Sequence, residues 1–86
     1  MKHSENWQRI ELENKQSCLK RDFVFNNFIE AFAFLTKVAM VSEKINHHPS
    51  IFNTYNKVSL QLNTHDAKNT ITELDINLSK EIDKLL

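Results

Sequence analysis

The sequence predicts a two-layer α+β domain: a sheet apolar on one face, with two amphipathic helices packed against that face. Three observations carry this. Val58, Leu60 and Leu62 alternate with Lys57, Ser59, Gln61 and Asn63, the period-2 signature of a half-buried strand. Apolar residues between Phe28 and Ile45 recur at spacings of three and four, as on a helix with one apolar stripe. Leu74, Leu78, Ile82 and Leu85 repeat that spacing further on. A sheet with one apolar face must be covered, and two such helices can cover it.

Taken in order, Trp7, Ile10 and Leu12 stand among polar residues, an imperfect alternation that predicts a first strand over residues 7–13. Asn14-Lys15-Gln16-Ser17 reads as a polar turn. Leu19, Phe23 and Phe25 then share one face and Lys20, Asp22 and Val24 the other, so a second strand closes a hairpin. Asn27 followed by Glu30 resembles a capping box with Asn as the cap, which starts a long helix at Phe28. Its predicted stripe is Phe28, Ile29, Ala31, Phe32, Leu35, Val38, Ala39, Val41 and Ile45. It ends near Asn46, because Pro49 disfavours helical geometry at His48. Extended chain resumes at Ile51, where Phe52 and Tyr55 form either a short strand of their own or a bent extension of the strand through Val58. Residues 66–71 read as a polar loop. Thr72-Glu73-Leu74-Asp75 has the capping-box pattern and opens the last helix. The order is β-β-α-β-(β)-α, with Lys20, Asp22, Lys57 and Gln61 on the wet side of the sheet.

Glycine is absent, against an average usage of about 7%. Left-handed backbone must then fall to other residues, Asn first, and Asn14, Asn46 and Asn69 stand where chain reversals are expected. The 86 residues suit one domain spanning 1–86. A domain of that size buries only about 60–65% of its unfolded surface, so self-association would add stability. Eleven basic and eleven acidic residues leave no net charge, which argues against direct nucleic-acid binding through phosphate neutralisation. A lone cysteine, Cys18, rules out an internal disulfide and a Cys-based zinc site, and its place in a strand suits a small packed side chain. Met1-Lys2-His3-Ser4-Glu5-Asn6 lacks the apolar core of a secretory signal. Residues 28–41 are interrupted by Glu30 and Lys37 and are too short to span a bilayer. The expectation is a cytoplasmic protein with no membrane partner.

Three of the four histidines, His47, His48 and His65, fall within residues 43–65, and imidazole exchanges protons near neutral pH. His47 and His48 follow a helix C-terminus, whose partial negative charge favours an imidazolium. Glu43 lies one turn before His47 and is expected to reach it. Adjacent side chains in extended backbone diverge, so His47 and His48 are expected to take separate tasks. His65 closes the main strand. If that strand's end lies beside the long helix's end, three imidazoles meet in one pocket suited to acid–base catalysis. Each positioned group then contributes roughly 10²–10⁴-fold. Three histidines and a carboxylate can also hold zinc, but neither a local metal spacing nor a metalloprotease helix motif is present. On spacing alone Asp75 is the capping partner of Thr72, Tyr55 is a packing residue, and any one histidine is an ordinary polar surface residue.

The pattern Glu43-x3-His47-His48-Pro49-x5-Tyr55-x9-His65-x9-Asp75 resembles the signature of the pterin-4a-carbinolamine dehydratases. The likeness extends through Trp7, Leu19-x-Arg21-x-Phe23-x-Phe25, Tyr55-Asn56-x-Val58 and Thr72-Glu73-Leu74-Asp75. It implies a four-stranded antiparallel sheet with helices on one face, in the order β-β-α-β-β-α, assembled as a homodimer or homotetramer. It also implies dehydration of a 4a-hydroxytetrahydropterin to quinonoid dihydropterin, recycling the cofactor of aromatic amino acid hydroxylases, with no metal or organic cofactor. By the family's pattern His47, His48 and His65 are catalytic, and Glu43 and Asp75 orient or tune them. Asn46, His47 and His48, with Asn63, Thr64, His65 and Asp66, line the pterin site. Many relatives carry glycine after the His65-Asp66 position, where this chain has Ala67-Lys68-Asn69. Animal members also serve as dimerisation cofactors of a homeodomain transcription factor. The alternative function is therefore a non-catalytic binding or assembly protein on the same scaffold.

Overall fold

The sheet is built outward from two central strands. A computed structural model describes residues 6–86, so the reading of residues 1–5 lies outside the described residues. β2 (Ser17–Val24) pairs antiparallel with β4 (Lys57–Leu62), setting Leu19 opposite Leu62 and Phe23 opposite Val58. β1 (Gln8–Glu11) flanks β2 and β3 (Ser50–Thr54) flanks β4, both antiparallel, so the order across the sheet is β1-β2-β4-β3. α1 (Phe28–Ile45) links β2 to β3, and α2 (Glu73–Asp83) follows β4. The segment around Phe52 is thus a strand of its own, joined to β4 by a tight turn at Tyr55-Asn56. The observed order is β-β-α-β-β-α.

The core lies between the sheet and the helices. Leu19, Phe23, Val58, Leu60 and Leu62 supply the sheet's side, and Ala31, Phe34, Leu35, Val38, Leu78 and Ile82 the helices' side. Burying each large aliphatic side chain contributes about 1.5–3 kcal/mol relative to exposure. Arg21 breaks the alternation of β2, pointing to the helix face between Leu19 and Phe23. Its Cζ sits 4.6 Å from the Phe23 ring centroid, and its Nη1 donates to Asp83 Oδ1 at 2.6 Å. Trp7 Nε1 donates to the same oxygen at 2.8 Å, and the indole meets Phe23 edge-on.

Several boundaries and faces differ from expectation. β1 is shorter than residues 7–13, because a 3₁₀ turn at Glu13–Lys15 draws Leu12 out of the ladder. β2 begins at Ser17, not Leu19. Ser17 is buried because its N–H donates to Asn69 O and its hydroxyl accepts from Ile71 N, so a polar residue is satisfied inside. The stripe of α1 includes Phe34, which spacing alone left out. It excludes Phe28, Ile29, Phe32 and Ala39, since the sheet covers a narrower arc than the apolar residues span. In α2 the inward row is Asp75, Leu78 and Ile82, while Leu74 is 46% exposed. Cys18 is buried in β2, and desolvation pushes its thiol above the ordinary range, as a packed residue requires. Among the described residues no helix is long and apolar enough to cross a membrane.

Asn14, Asn46 and Asn69 all adopt left-handed backbone, each with φ of 59°. Lys15, Tyr55 and Lys68 do so as well, at a steric cost glycine would not incur. Asn46 forms the C-cap of α1, its N–H donating to Ser42 O and Glu43 O. Replacing Asn46 with Ala should lower stability by about 1 kcal/mol, whereas Asn46→Gly should keep or raise the urea midpoint. Equal midpoints for the two variants would show that the left-handed cap is not what Asn46 supplies.

Candidate active site

The site starts where α1 stops. Asn46 (φ 59°, ψ 44°) turns the chain out of the helix, His47 N–H donates to Ser42 O at 3.1 Å, and Pro49 prevents the helix from resuming. The reversal sends the two histidines to opposite sides. The His47 side chain is 12% exposed, with Nε2 at 2.5 Å from Asp75 Oδ1. His48 is turned to solvent and pairs through Nε2 with Glu43 Oε2. Glu43 therefore serves His48 and not His47, because the left-handed residue between them breaks the one-turn helical register.

Asp75 is fully buried at the start of α2. It fills the expected cap, its Oδ2 accepting from Thr72 N–H at 2.9 Å, while Thr72 Oγ1 accepts from Leu74 N–H at 3.3 Å. The same Oδ2 accepts from the Thr64 hydroxyl at 2.8 Å. A carboxylate with no exposed surface is tolerated only when fully bonded, and the positive end of the helix dipole lies on it as well. Capping is thus one of two tasks: one oxygen closes the helix, and the other holds His47.

Past Leu62, Thr64 pairs with Thr70 as an isolated bridge, and the chain between them winds through a 3₁₀ turn at His65–Ala67. Lys68 (φ 61°) and Asn69 (φ 59°) make the reversal in left-handed backbone. His65 is exposed, with Nδ1 at 3.4 Å from Asn69 Oδ1. Asn63 Nδ2 is 3.5 Å from Asn69 O, and Asp66 borders a hollow of about 540 Å³ between this turn and the first turn of α2. Asp75 therefore gathers His47 and Thr64 directly, and His65 follows Thr64 in the chain. His48 and Glu43 stand on the solvent side of the helix end. Among the described residues no three His, Cys, Asp or Glu side chains form a group able to hold a metal ion.

Chemically, each of these three imidazoles has one nitrogen facing an acceptor oxygen. Nδ1 of His47, Nδ1 of His48 and Nε2 of His65 stand outside these contacts and are the atoms through which a proton could be exchanged. Thr72 is the expected capping partner of Asp75, but the Thr64 hydroxyl, 2.6 Å from that of Thr72, is a second partner that the capping pattern does not announce. A signal was present: position 64 continues the inward series 58, 60, 62, and a buried Thr needs a polar partner.

Asp75→Ala should lower stability by about 3 kcal/mol, since it leaves an imidazole, a hydroxyl and an amide without their acceptor in a buried site. Urea unfolding measures this, and an unchanged midpoint would remove Asp75 from the centre of the structure.

A family model described as pterin 4 alpha carbinolamine dehydratase matches residues 1–85. A protein of Prochlorococcus marinus (strain NATL2A), provisionally named a pterin-4-alpha-carbinolamine dehydratase, is 55% identical over 75 residues, covering 87% of this chain and 76% of that one. A Rhizobium etli protein under the same provisional name is 48% identical over 73 residues, covering 85% of this chain and 71% of its own. Among solved structures, a transcriptional coactivator/pterin dehydratase from Brucella melitensis superposes with a TM-score of 0.82 at 36% identity, over 94% of this chain and 82% of that one. A pterin dehydratase-like protein identified as a RuBisCO assembly factor in the alpha-carboxysome superposes at 0.72 with 26% identity, over 98% of this chain and 93% of its own.

Proposed function

The chain belongs to the pterin 4 alpha carbinolamine dehydratase family, and on that premise we propose that it removes water from a 4a-hydroxytetrahydropterin. The product is the quinonoid dihydropterin, which returns to the cycle that serves aromatic amino acid hydroxylases. The observation carrying this reading is the His47–Asp75 pair at 2.5 Å, an imidazole held by a buried carboxylate in a chain of this family.

The reaction breaks the C4a–O bond and the N5–H bond. The electron pair of N5–H becomes the second bond of C4a=N5, and the hydroxyl leaves as water once it takes a proton. Nothing is oxidised or reduced, so one general acid and one general base suffice, and imidazoles provide both near neutral pH. His47, His48 and His65 fill these roles. Asp75 orients His47, and Glu43 orients His48. Asn46 and the chain from 63 to 66, including Asp66, line the pterin site together with the three histidines. Solvent exposure of the His48–Glu43 pair suits it to exchanging the released proton with water. The enzyme acts in the cytoplasm as a homodimer or homotetramer, without binding nucleic acid directly.

A second reading, a binding or assembly protein on the same scaffold, is favoured by two observations. One is the likeness to the RuBisCO assembly factor. The other is the outer flank of α1, where Ile29, Phe32 and Met40 are exposed. A partner that co-purifies equally with wild type and with His47→Ala would support this reading.

Purified protein should speed the decay of chemically prepared 4a-hydroxytetrahydropterin, followed by stopped-flow absorbance. His47→Ala and His65→Ala should each slow it by roughly 10²–10⁴-fold. A wild-type rate equal to that of buffer alone would overturn the dehydratase reading.

A further inference from the structure

Thr64 carries a hydroxyl that the dehydration itself does not call for. Its side chain is buried and turned toward the start of α2. Oγ1 lies 2.6 Å from Thr72 Oγ1 and 2.8 Å from Asp75 Oδ2. A hydroxyl has one proton to give. Were that proton given to Thr72, two acceptors would face each other at 2.8 Å. The Leu74 amide can only donate, and it donates to Thr72 Oγ1. One direction satisfies every group: Leu74 N–H to Thr72 Oγ1–H, to Thr64 Oγ1–H, to Asp75 Oδ2. Such chains polarise along their length, each bond strengthening the next.

The direction has a consequence at His47. Asp75 Oδ2 receives the Thr64 hydroxyl and the Thr72 amide, which fixes the rotation of the carboxylate. Oδ1 then faces His47 Nε2 as an acceptor, so that nitrogen carries a proton and Nδ1 is the one left to work. We propose that Thr64 is a positioning residue for catalysis: its hydroxyl locks the Asp75 carboxylate and thereby holds neutral His47 as the Nε2–H tautomer, with Nδ1 as the proton-exchanging atom. The catalytic half of this statement rests on the dehydratase reading; the tautomer half does not.

The test combines ¹⁵N NMR of histidine-labelled protein, which distinguishes the two neutral tautomers, with dehydratase kinetics. Neutral wild-type His47 should be in the Nε2–H form. Thr64→Val should mix the tautomers and lower kcat by about tenfold to a hundredfold with little change in KM. Thr64→Ser should recover the Nε2–H form and most of the lost rate. A Thr64→Val protein that loses stability or rate yet keeps the pure Nε2–H tautomer overturns the proposal, as does a wild type in the Nδ1–H form. Should Thr64→Val not fold because its extra methyl faces the Thr72 and Asp75 oxygens, Thr64→Ala removes the same hydroxyl without it: a mixed tautomer supports the proposal and an unchanged one overturns it. If wild type has no dehydratase activity, the functional reading fails while the NMR arm still decides the role of Thr64.

Discussion

A carboxylate shut away from water must be compensated by the groups around it, and Asp75 takes that compensation from three directions. The end of α1 supplies the His47 imidazole, the end of β4 supplies the Thr64 hydroxyl, and the first turn of α2 supplies the Thr72 amide. These elements are far apart in the chain, yet none can move independently without leaving a buried charge partly bare. The cost of that exposure, several kcal/mol in a low-dielectric setting, ties the geometry of the site to the docking of α2. The sheet and its apolar core bring the pieces near one another; the Asp75 carboxylate sets how they meet.

Around this centre the backbone works without glycine. Among the described residues six take left-handed conformations, and three of them, Asn46, Lys68 and Asn69, flank the candidate site. Asn46 determines that His47 turns inward and His48 outward. Lys68 and Asn69 fold the segment after His65 back so that Thr64 can pair with Thr70. Strained local geometry of this kind persists only where the surroundings over-determine it, and here the surroundings are the same bonds that hold the imidazole.

Much of this was legible in the residues. Alternation in Val58, Leu60 and Leu62, the three-and-four spacing through α1, and the caps at Asn27 and Thr72 specify local structure, and each appears where expected. What escaped the sequence depends on which of two local options the tertiary structure selects. Glu43 was placed beside His47 because helical spacing puts it there, but one left-handed residue redirects the chain. Arg21 was assigned to neither face of its strand, because nothing local announces an acceptor on α2. Asp75 looked like a cap, which it is; its second oxygen acquires meaning only when α1 and β4 arrive beside it. Thr64 could have been read inward from the parity of β4, but its partner lies eleven residues on, across a turn.

Asp83 carries a further implication, for the order in which the protein comes together. Its Oδ1 joins Trp7, 76 positions earlier, to Arg21, 62 positions earlier, and it sits on the same helix that begins at Asp75. Contacts of such long sequence separation close late, because loop entropy must be overcome before they form. As the chain emerges during synthesis, the sheet and α1 can associate while His47 and Thr64 still lack their common acceptor. The helix that latches Trp7, just ahead of β1, to the fold is the helix that completes the candidate catalytic pair. The His47–Asp75 pair is therefore completed last, and the first loosening of α2 would open it before the sheet is disturbed.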